Sequence, residues 1–355
     1  MMEYKVYKWS DVLTIINGRN QNAVECEDGE YPIYGSGGVM GKANDYLCPP
    51  NCTIIGRKGN INKPIYVETK FWNVDTAFGL SANEEILNPR YLYYFCVDYN
   101  FERHNKAVTI PSLTKADLLK IEMCLPPLDK QKSIVGELDK INELIRLKKE
   151  QQKDYDNLAQ SIFYEMFGDE KYERRKLKNI VKVKSGQVSP LEDPYCDMVH
   201  VGPANIESNT GRLINLKTAK EENLISGKYL FDSSMVLYSK IRPNLNKVTI
   251  ADFEGICSAD MYPLIPSKSI DKKFLLFILK QKEFLSYAIA NSGRANIPKI
   301  NREALLEYST ILPPLSLQLQ FAERLALIEQ QKAEIQNIIA DLETLLASRM
   351  QYWFD

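Results

Sequence analysis

Ile110-Pro111-Ser112-Leu113 begins a stretch that continues through Leu125-Pro126-Pro127-Leu128 and a helical pattern ending at Phe167. This stretch decides the fold because it recurs 187 residues later, as Ile297-Pro298-Lys299-Ile300, Leu312-Pro313-Pro314-Leu315 and a helical pattern ending at Phe354. The repeat has no gap over its whole length. It predicts a duplicated protein with pseudo-twofold symmetry, which suits a target that itself has two halves.

Length and composition are those of a multidomain globular protein. The chain has 355 residues, of which 45% are hydrophobic, and this is enough to bury two cores of ordinary size. No run of 18 apolar residues occurs, and Met1 to Ser10 lacks an apolar segment. We therefore expect a cytoplasmic protein without a signal peptide or membrane span. The net charge of −1 restricts any polyanion contact to local clusters or to partner subunits.

Seven cysteines, an odd number, are scattered along the chain. We expect reduced and mostly buried thiols. Cys48 and Cys52 form a CxxxC pair, but the second pair or the nearby histidines that a zinc site needs are missing. The sequence therefore predicts no metal site.

Residues 129–167 and 316–355 each predict one long helix, and the preceding Pro-Pro pair fixes where each helix starts. Apolar residues recur at the a and d positions of a heptad in both helices. The predicted seam consists of Ile134, Leu138, Ile141, Ile145, Phe321, Leu325, Ile328, Ile335, Ile339 and Leu342. Two such helices most simply pair antiparallel as a coiled-coil spacer. The alternative is that each helix packs on its own domain.

Each helix follows a globular stretch, residues 1–128 (the first domain) and 168–315 (the second domain). Both stretches alternate short β-like runs with Gly, Pro and Asn, which predicts α+β domains. The offset between the halves grows from 168 near Trp9 to 187 at the Ile-Pro element, so the second domain carries 19 extra residues. We therefore expect the helices to form a common framework and the two domains to recognise different targets.

The sequence gives little support for catalysis. Its two histidines, His104 and His200, lie in no motif with a nucleophile or with metal-ligand spacing. The glycine-rich segment 35–43 fails the phosphate-loop and dinucleotide patterns. Asp75 and Asp260 follow aligned strands but lack a visible carboxylate partner, so we expect them to be structural. We predict a protein that is not an enzyme and holds no cofactor of its own.

Two polar loops occupy matching places in the two halves. Each follows a β-like run and combines cations, which suit phosphates or guanine, with asparagines, which suit adenine. A solvated loop is the ordinary interpretation of either one, and recurrence favours DNA binding. The predicted DNA contacts are Arg57, Lys58, Asn60 and Lys63 in the first loop and Lys240, Arg242, Asn244, Asn246 and Lys247 in the second.

Further candidate DNA contacts lie in glycine-rich and polar segments. Ser36, Gly37 and Gly38 form either a tight turn or a place where main-chain amides approach DNA closely. Arg103 and Arg294 lie in polar loops just before the two Ile-Pro elements, where a surface turn is the alternative.

With these motifs assembled, the chain resembles the DNA specificity subunit of type I restriction-modification systems. The resemblance rests on motifs repeated in order around heptad helices, and it covers essentially the whole chain. Those motifs are Tyr31-Pro32-Ile33-Tyr34-Gly35-Ser36-Gly37-Gly38, Ile55-Gly56-Arg57-Lys58-Gly59, Lys240-Ile241-Arg242-Pro243-Asn244-Leu245-Asn246-Lys247, and Leu-Pro-Pro-Leu followed by Gln131 or Gln318. The chain is short for this family.

The resemblance implies two target-recognition domains, separated by two helices, that each read half of a bipartite DNA site. It also implies two adenine-methyltransferase subunits and restriction subunits as partners, with S-adenosylmethionine, ATP and Mg²⁺ in those partners. Two other functions remain open: the specificity subunit of a type IIB-like enzyme, and a stand-alone DNA-binding or scaffold protein.

Overall fold

The computed structural model describes residues 4–105, 110–168, 172–293 and 296–354. The chain divides into two compact units. Unit 1 combines Met1–Gln152 with Ile335–Asp355, and unit 2 is Lys153–Glu334. Each unit therefore contains one globular domain and a part of both long helices.

The first domain consists of short strands with one longer helix, followed by the first long helix, α4. A one-turn helix, Phe101–His104, precedes α3. The elements are β1 (Lys5–Lys8), α1 (Trp9–Val12), β2 (Leu13–Asn17), β3 (Tyr31–Gly35), β4 (Gly38–Ala43), β5 (Cys52–Gly56), β6 (Ile65–Val67), β7 (Trp72–Asn73), β8 (Ala77–Ala82), α2 (Pro89–Asp98), α3 (Lys115–Leu118), β9 (Glu122–Leu125) and α4 (Leu128–Phe167).

The second domain has the same plan with additional strands and one additional helix. One-turn helices occur at Tyr195–Asp197, Pro203–Asn205 and Pro243–Leu245. The elements are β10 (Arg174–Lys176), α5 (Leu177–Ile180), β11 (Val181–Val183), β12 (Gln187–Val188), β13 (Val199–Val201), β14 (Lys217–Thr218), β15 (Lys228–Phe231), β16 (Val236–Ser239), β17 (Val248–Thr249), β18 (Gly255–Cys257), β19 (Met261–Pro266), α6 (Lys272–Lys280), α7 (Lys282–Ala290), α8 (Arg302–Glu307), β20 (Ser309–Ile311) and α9 (Leu315–Phe354).

A four-stranded antiparallel sheet is common to both domains. Its strand order is β2-β8-β5-β6 in the first domain and β11-β19-β16-β17 in the second. The register is also the same, since Thr53 lies opposite Leu80 and the equivalent Val236 lies opposite Leu264. The fold class predicted from the sequence, α+β with an internal repeat, is confirmed.

The second sheet differs between the domains. It has three strands in the order β4-β3-β7 in the first domain and five in the order β12-β15-β18-β13-β14 in the second. The parallel pair β3–β7 corresponds to β13–β18. The tight turn Ser36–Gly37 between β3 and β4 is replaced by residues 202–216 between β13 and β14. The extra residues of the second domain therefore fall mainly in this sheet.

Helices α4 and α9 pair antiparallel, as predicted, and each starts one residue earlier than expected. In unit 1, Glu137 accepts hydrogen bonds from Arg349, and Lys149 Nζ lies 2.7 Å from Glu343 Oε1. In unit 2, Lys332 Nζ lies 2.7 Å from Asp156 Oδ1. Residue numbers fall along one helix as they rise along the other, which defines the antiparallel direction.

The seam residues take part both in the pairing of the two helices and in the domain cores. The helices therefore pair with each other and also pack on the domains. Ile134 and Leu138 belong to the core of the first domain, and Phe321 and Ile328 belong to that of the second. Eight of the ten predicted seam positions are buried, whereas Leu325 and Leu342 are half-buried.

The end of each long helix completes the core of the domain that belongs to the other repeat. In unit 2, Phe163 and Phe167 near the end of α4 pack against Phe274 of α6. In unit 1, Phe354 at the end of α9 packs against Tyr91 of α2, with ring centroids 5.1 Å apart. Phe163 and Phe167 are both buried, although neither belongs to the predicted heptad seam.

A buried glutamine fixes each long helix to its domain. Gln131 is fully buried, and its Oε1 accepts a hydrogen bond from the backbone N–H of Asn88 at 2.8 Å. Its Nε2 donates to the carbonyls of Ile86 at 2.9 Å and Pro126 at 2.8 Å. Asn88 is the N-cap of α2, so the glutamine joins the starts of two helices.

Gln318 repeats this arrangement in the second domain. Its Oε1 accepts from the N–H of Asp271, the N-cap of α6, at 2.9 Å. Its Nε2 donates to Ser269 at 3.0 Å and Pro313 at 2.7 Å. We call this three-bond arrangement the glutamine clamp. It satisfies backbone groups that burial would otherwise leave without partners.

All seven cysteines are free thiols, and four of them, including Cys48 and Cys52, are buried. Burial raises the pKa of the Cys52 thiol to about 11, so it stays protonated near neutral pH. Among the described residues, no helix is both long and apolar enough to cross a membrane.

We expect Gln131→Ala to lower the free energy of unfolding by about 2–5 kcal/mol, because it leaves one N–H and two carbonyls buried without partners. The exposed Gln151→Ala on the same helix should change it by less than about 0.5 kcal/mol. Urea titration followed by circular dichroism measures both. Equal stability of the two variants would contradict a structural role for the clamp.

We also expect a cysteine pair introduced as Glu137→Cys and Arg349→Cys to react with a short bismaleimide, because the native side chains are in contact. The exposed or half-buried Cys26, Cys124 and Cys196 are first replaced by serine. Glu137→Cys with Thr344→Cys is the control, since Thr344 lies on another face of α9. Mass spectrometry identifies the linked peptides. Efficient linkage of the control pair would contradict the pairing register.

Candidate nucleic-acid interface

The first predicted loop follows β5, an inner strand of the common sheet, and is anchored by one apolar side chain. Ile61 is 2% exposed and belongs to the domain core, whereas Arg57, Lys58, Asn60 and Lys63 are exposed. Gly59 has a φ of +79°, in the region that favours glycine. The loop thus has a fixed backbone and presents its three cations and Asn60 to solvent.

This loop pairs with the Ile-Pro element. The N–H of Gly59 donates to the carbonyl of Pro111 at 3.0 Å, and the N–H of Leu113 donates to the carbonyl of Arg57 at 2.9 Å. Lys58 and Ser112 form an isolated β-bridge. Two motifs that the sequence showed separately therefore form one structure, which we call the loop junction.

Asn62 connects the loop junction to the segment that contains Arg103. Its Oδ1 accepts from the N–H of Phe101 at 2.8 Å, at the start of the one-turn helix. Arg103 is exposed on that helix. The loop is therefore linked by a direct hydrogen bond to a second predicted cation-bearing segment.

The turn Ser36–Gly37 reaches the same loop. A Cβ atom placed on Gly37 would lie 4.0 Å from Asn60 Nδ2. Gly35 pairs with Gly38, so the turn is the tip of the β3–β4 hairpin. The segment forms a tight turn, which is one of the two interpretations left open. The turn lies beside Asn60, and a DNA contact by its main-chain amides stays a prediction.

The second domain has an equivalent loop junction. The N–H of Arg242 donates to the carbonyl of Pro298 at 2.7 Å, and the N–H of Ile300 donates to the carbonyl of Lys240 at 3.0 Å. Ile241 and Lys299 form the matching β-bridge. The backbone contacts are those of the first domain, displaced by 183 residues in the loop and 187 in the Ile-Pro element.

Three residues predicted to contact DNA in the second loop are engaged within the protein. The ammonium of Lys240 donates to the Ala259 carbonyl and lies 3.6 Å from Asp260 Oδ1. Lys247 Nζ donates to the Pro203 carbonyl at 2.6 Å. Asn246 is 8% exposed and donates to the Lys280 carbonyl. Each of the three therefore has a backbone carbonyl as a partner within the protein, and their contact with DNA stays a prediction.

The exposed contacts of the second loop are Arg242 and Asn244. Arg242 and Asn246 both adopt left-handed backbone conformations, with φ of 47° and 48°, at the two ends of the one-turn helix. That turn projects Asn244 between them. The remaining candidate of the second domain, Arg294, lies outside the described residues.

Both histidines and Asp260 have partners within the protein. His104 Nε2 lies 2.7 Å from the Tyr99 hydroxyl. His200 Nδ1 lies 2.8 Å from Glu222, and burial lowers its pKa more than that carboxylate raises it. Asp260 faces Lys240, in agreement with its predicted structural role, and Asp75 is exposed.

Sequence reasoning missed the residues that hold the interface together. Asn62 and the backbone of Pro111 and Pro298 carry no charge, so they offered no signal of binding. Residues 202–216 were also missed, although the Pro203 carbonyl binds Lys247 and the N–H of Asn209 donates to the Leu245 carbonyl. The growing offset between the halves did indicate extra residues in the second domain. It did not indicate where in the domain they lie.

Fold and site together define a duplicated protein with two α+β domains, each presenting exposed cations from an equivalent loop junction. The family model for the "Type I restriction modification DNA specificity domain" matches residues 1–154 and 169–344. The chain belongs to this family.

Individual proteins of this family show the same likeness. The EcoDI type I restriction enzyme specificity subunit of Escherichia coli is 24% identical, over 98% of this chain and 87% of its own length. The type I S subunit of M. genitalium has the same fold, with a TM-score of 0.62 and 13% identity over 99% of this chain and 96% of that chain. A chain from structural work on complex assembly and conformational transition of the type I R-M system gives a TM-score of 0.60 at 16% identity, covering 99% and 97%.

We expect Asn246→Ala to lower the free energy of unfolding by about 1–3 kcal/mol, because it removes a hydrogen bond and leaves a left-handed residue without asparagine's tolerance for that conformation. Asn244→Ala, two residues away and exposed, should change it by less than about 0.5 kcal/mol. Thermal or urea unfolding distinguishes them. An Asn244→Ala variant that unfolds as easily as Asn246→Ala would contradict this division of roles.

Proposed function

We propose that this chain is the DNA sequence-specificity subunit of a type I restriction-modification complex and reads an asymmetric bipartite site, one half-site per domain. The observation that carries the proposal is the repeated loop junction. In both domains it has the same backbone contacts and exposes an arginine, Arg57 or Arg242. Arginine pairs bidentately with guanine O6 and N7 or with a phosphate, so each junction offers a contact to DNA.

The difference between the domains supports an asymmetric site. The segment beside the loop junction is the turn Ser36–Gly37 in the first domain and residues 202–216 in the second. Surfaces that differ this much in length and sequence cannot present the same donors and acceptors to base edges. The half-sites are therefore expected to differ in sequence, and a palindromic site would contradict the proposal.

The chain is proposed to act without catalysing a reaction itself, in the cytoplasm. Membership of the family supports two adenine-methyltransferase subunits and restriction subunits as partners, with S-adenosylmethionine, ATP and Mg²⁺ held by them. A methyltransferase partner would flip its target adenine out of the stack, at a cost of a few kcal/mol. Co-purification tests the partners: a fully active chain without any methyltransferase would favour a stand-alone DNA-binding protein.

We expect Arg57→Ala and Arg242→Ala to weaken specific binding by the purified complex by about 1–3 kcal/mol each, and to relax recognition in different half-sites. Lys58→Ala should weaken all sequences alike and flatten the salt dependence. The control is Lys132→Ala, an exposed lysine on α4. The measurements are methylation mapping and binding titrations at several salt concentrations. The proposal would be contradicted if both arginine variants relaxed recognition of the same half-site, or if neither variant relaxed recognition of any half-site.

A further inference from the structure

The tip of the β3–β4 hairpin contains a β-bulge. Ile33 pairs with Gly41 and Tyr34 pairs with Val39, so Met40 is an additional residue on β4 without a partner on β3. A bulge interrupts the alternation of side chains between the two faces of a strand. Two consecutive apolar side chains can therefore both face solvent at this place.

Both of these side chains are exposed. Val39 is 62% exposed and Met40 is 60% exposed, beside the two-residue turn. In a regular strand, one of two neighbouring residues would face the inside of the domain. Two adjacent exposed apolar side chains on a hairpin tip form a small apolar patch, which suits a contact with another molecule.

The chemistry around the tip indicates that this molecule is DNA. The turn lies against the loop that carries Asn60, and that loop also exposes Arg57, Lys58 and Lys63. An acidic side chain, Glu25, lies beside Gly41, farther from the turn. The exposed Asp75 also lies between the hairpin and the loop, so the three cations of the loop outnumber the nearby acidic group at the end where Val39 and Met40 are exposed.

A comparison of the domains indicates that this position determines specificity. The parallel pair and the loop junction are common to both domains, whereas the segment that joins β3 to β4 differs completely from the one that joins β13 to β14. In the second domain that segment also touches the loop, through Pro203 and Lys247. In each domain a segment that differs between the domains thus lies beside a loop junction that they share.

We propose that Val39 and Met40 read the 5-methyl group of a thymine in the half-site bound by the first domain. This inference rests on the proposed function. A two-stranded ribbon fits the major groove, where the thymine methyl is the apolar feature that distinguishes a base pair. Valine supplies a rigid branched surface, and methionine is flexible enough to pack against an irregular one.

The test uses the full-length chain purified with its methyltransferase subunits, and duplexes that carry the site found by methylation mapping. Each thymine is replaced in turn by deoxyuridine, which removes one methyl group and leaves base pairing unchanged. We expect one or two replacements, within a single half-site, to weaken binding about fourfold, as loss of one buried methyl group does. Fluorescence anisotropy measures the dissociation constants.

The variants Val39→Ala and Met40→Ala connect that loss to the hairpin tip. For at least one of these variants, the dissociation constants for the deoxyuridine duplex and the thymine duplex should become about equal, so that their ratio falls to about one. Val97→Ala is the matched control, because Val97 is a 45% exposed valine on α2 of the same unit, and it should keep the ratio. Thermal unfolding verifies that all three variants remain folded.

The outcomes separate this inference from the proposed function. If the wild-type complex binds its site specifically but every deoxyuridine replacement is neutral, the inference is overturned and the proposed function stands. The same holds if the ratio persists in both Val39→Ala and Met40→Ala. A complex that binds no specific DNA site overturns both.

Discussion

The glutamine clamp is the interaction on which the rest of the architecture depends. A long helix that starts after two prolines has free backbone groups at its first turn, and so does the shorter helix beside it. Gln131 and Gln318 each satisfy one N–H and two carbonyls across that gap. Glutamine suits this position because its amide carries an acceptor and a two-proton donor at the end of one side chain. The orientation of each domain's longer helix is thereby tied to a framework helix.

The framework in turn permits the two domains to differ. The common sheet and its registered strands lead the chain to the same loop junction in each domain, where Lys240 occupies the position of Arg57 and Arg242 occupies that of Gly59. The domains differ in the second sheet, in one additional helix of the second domain and in the segment that touches the junction. A bulged hairpin fills this place in the first domain and a longer irregular segment in the second. Within each domain, the hydrogen bonds that fix the framework helix are therefore distinct from those that hold the variable segment.

The sequence predicted the helices, the α+β domains and the basic loops, because periodicity, Pro-Pro pairs and repeated polar segments are local signals. It could not predict that the loop pairs with the Ile-Pro element, since the bonds from Gly59 to Pro111 and from Leu113 to Arg57 use backbone atoms. It gave no sign of the internal partners of Lys240, Lys247 and Asn246, because residue type does not reveal a carbonyl that folding brings close. It also missed the burial of Phe163, because the end of α4 packs on α6 as well as on the heptad seam.

The cores completed by Phe167 and by Phe354 have a consequence for chain continuity. In unit 2 the end of α4 and the start of β10 are close together in the sequence. In unit 1 the equivalent elements, the end of α9 and the start of β1, lie at opposite ends of the sequence, and the same packing forms without a peptide link. Unit 1 therefore shows that a core of this kind needs no covalent connection at this place. A gene split at this point could encode two polypeptides that assemble the same two cores.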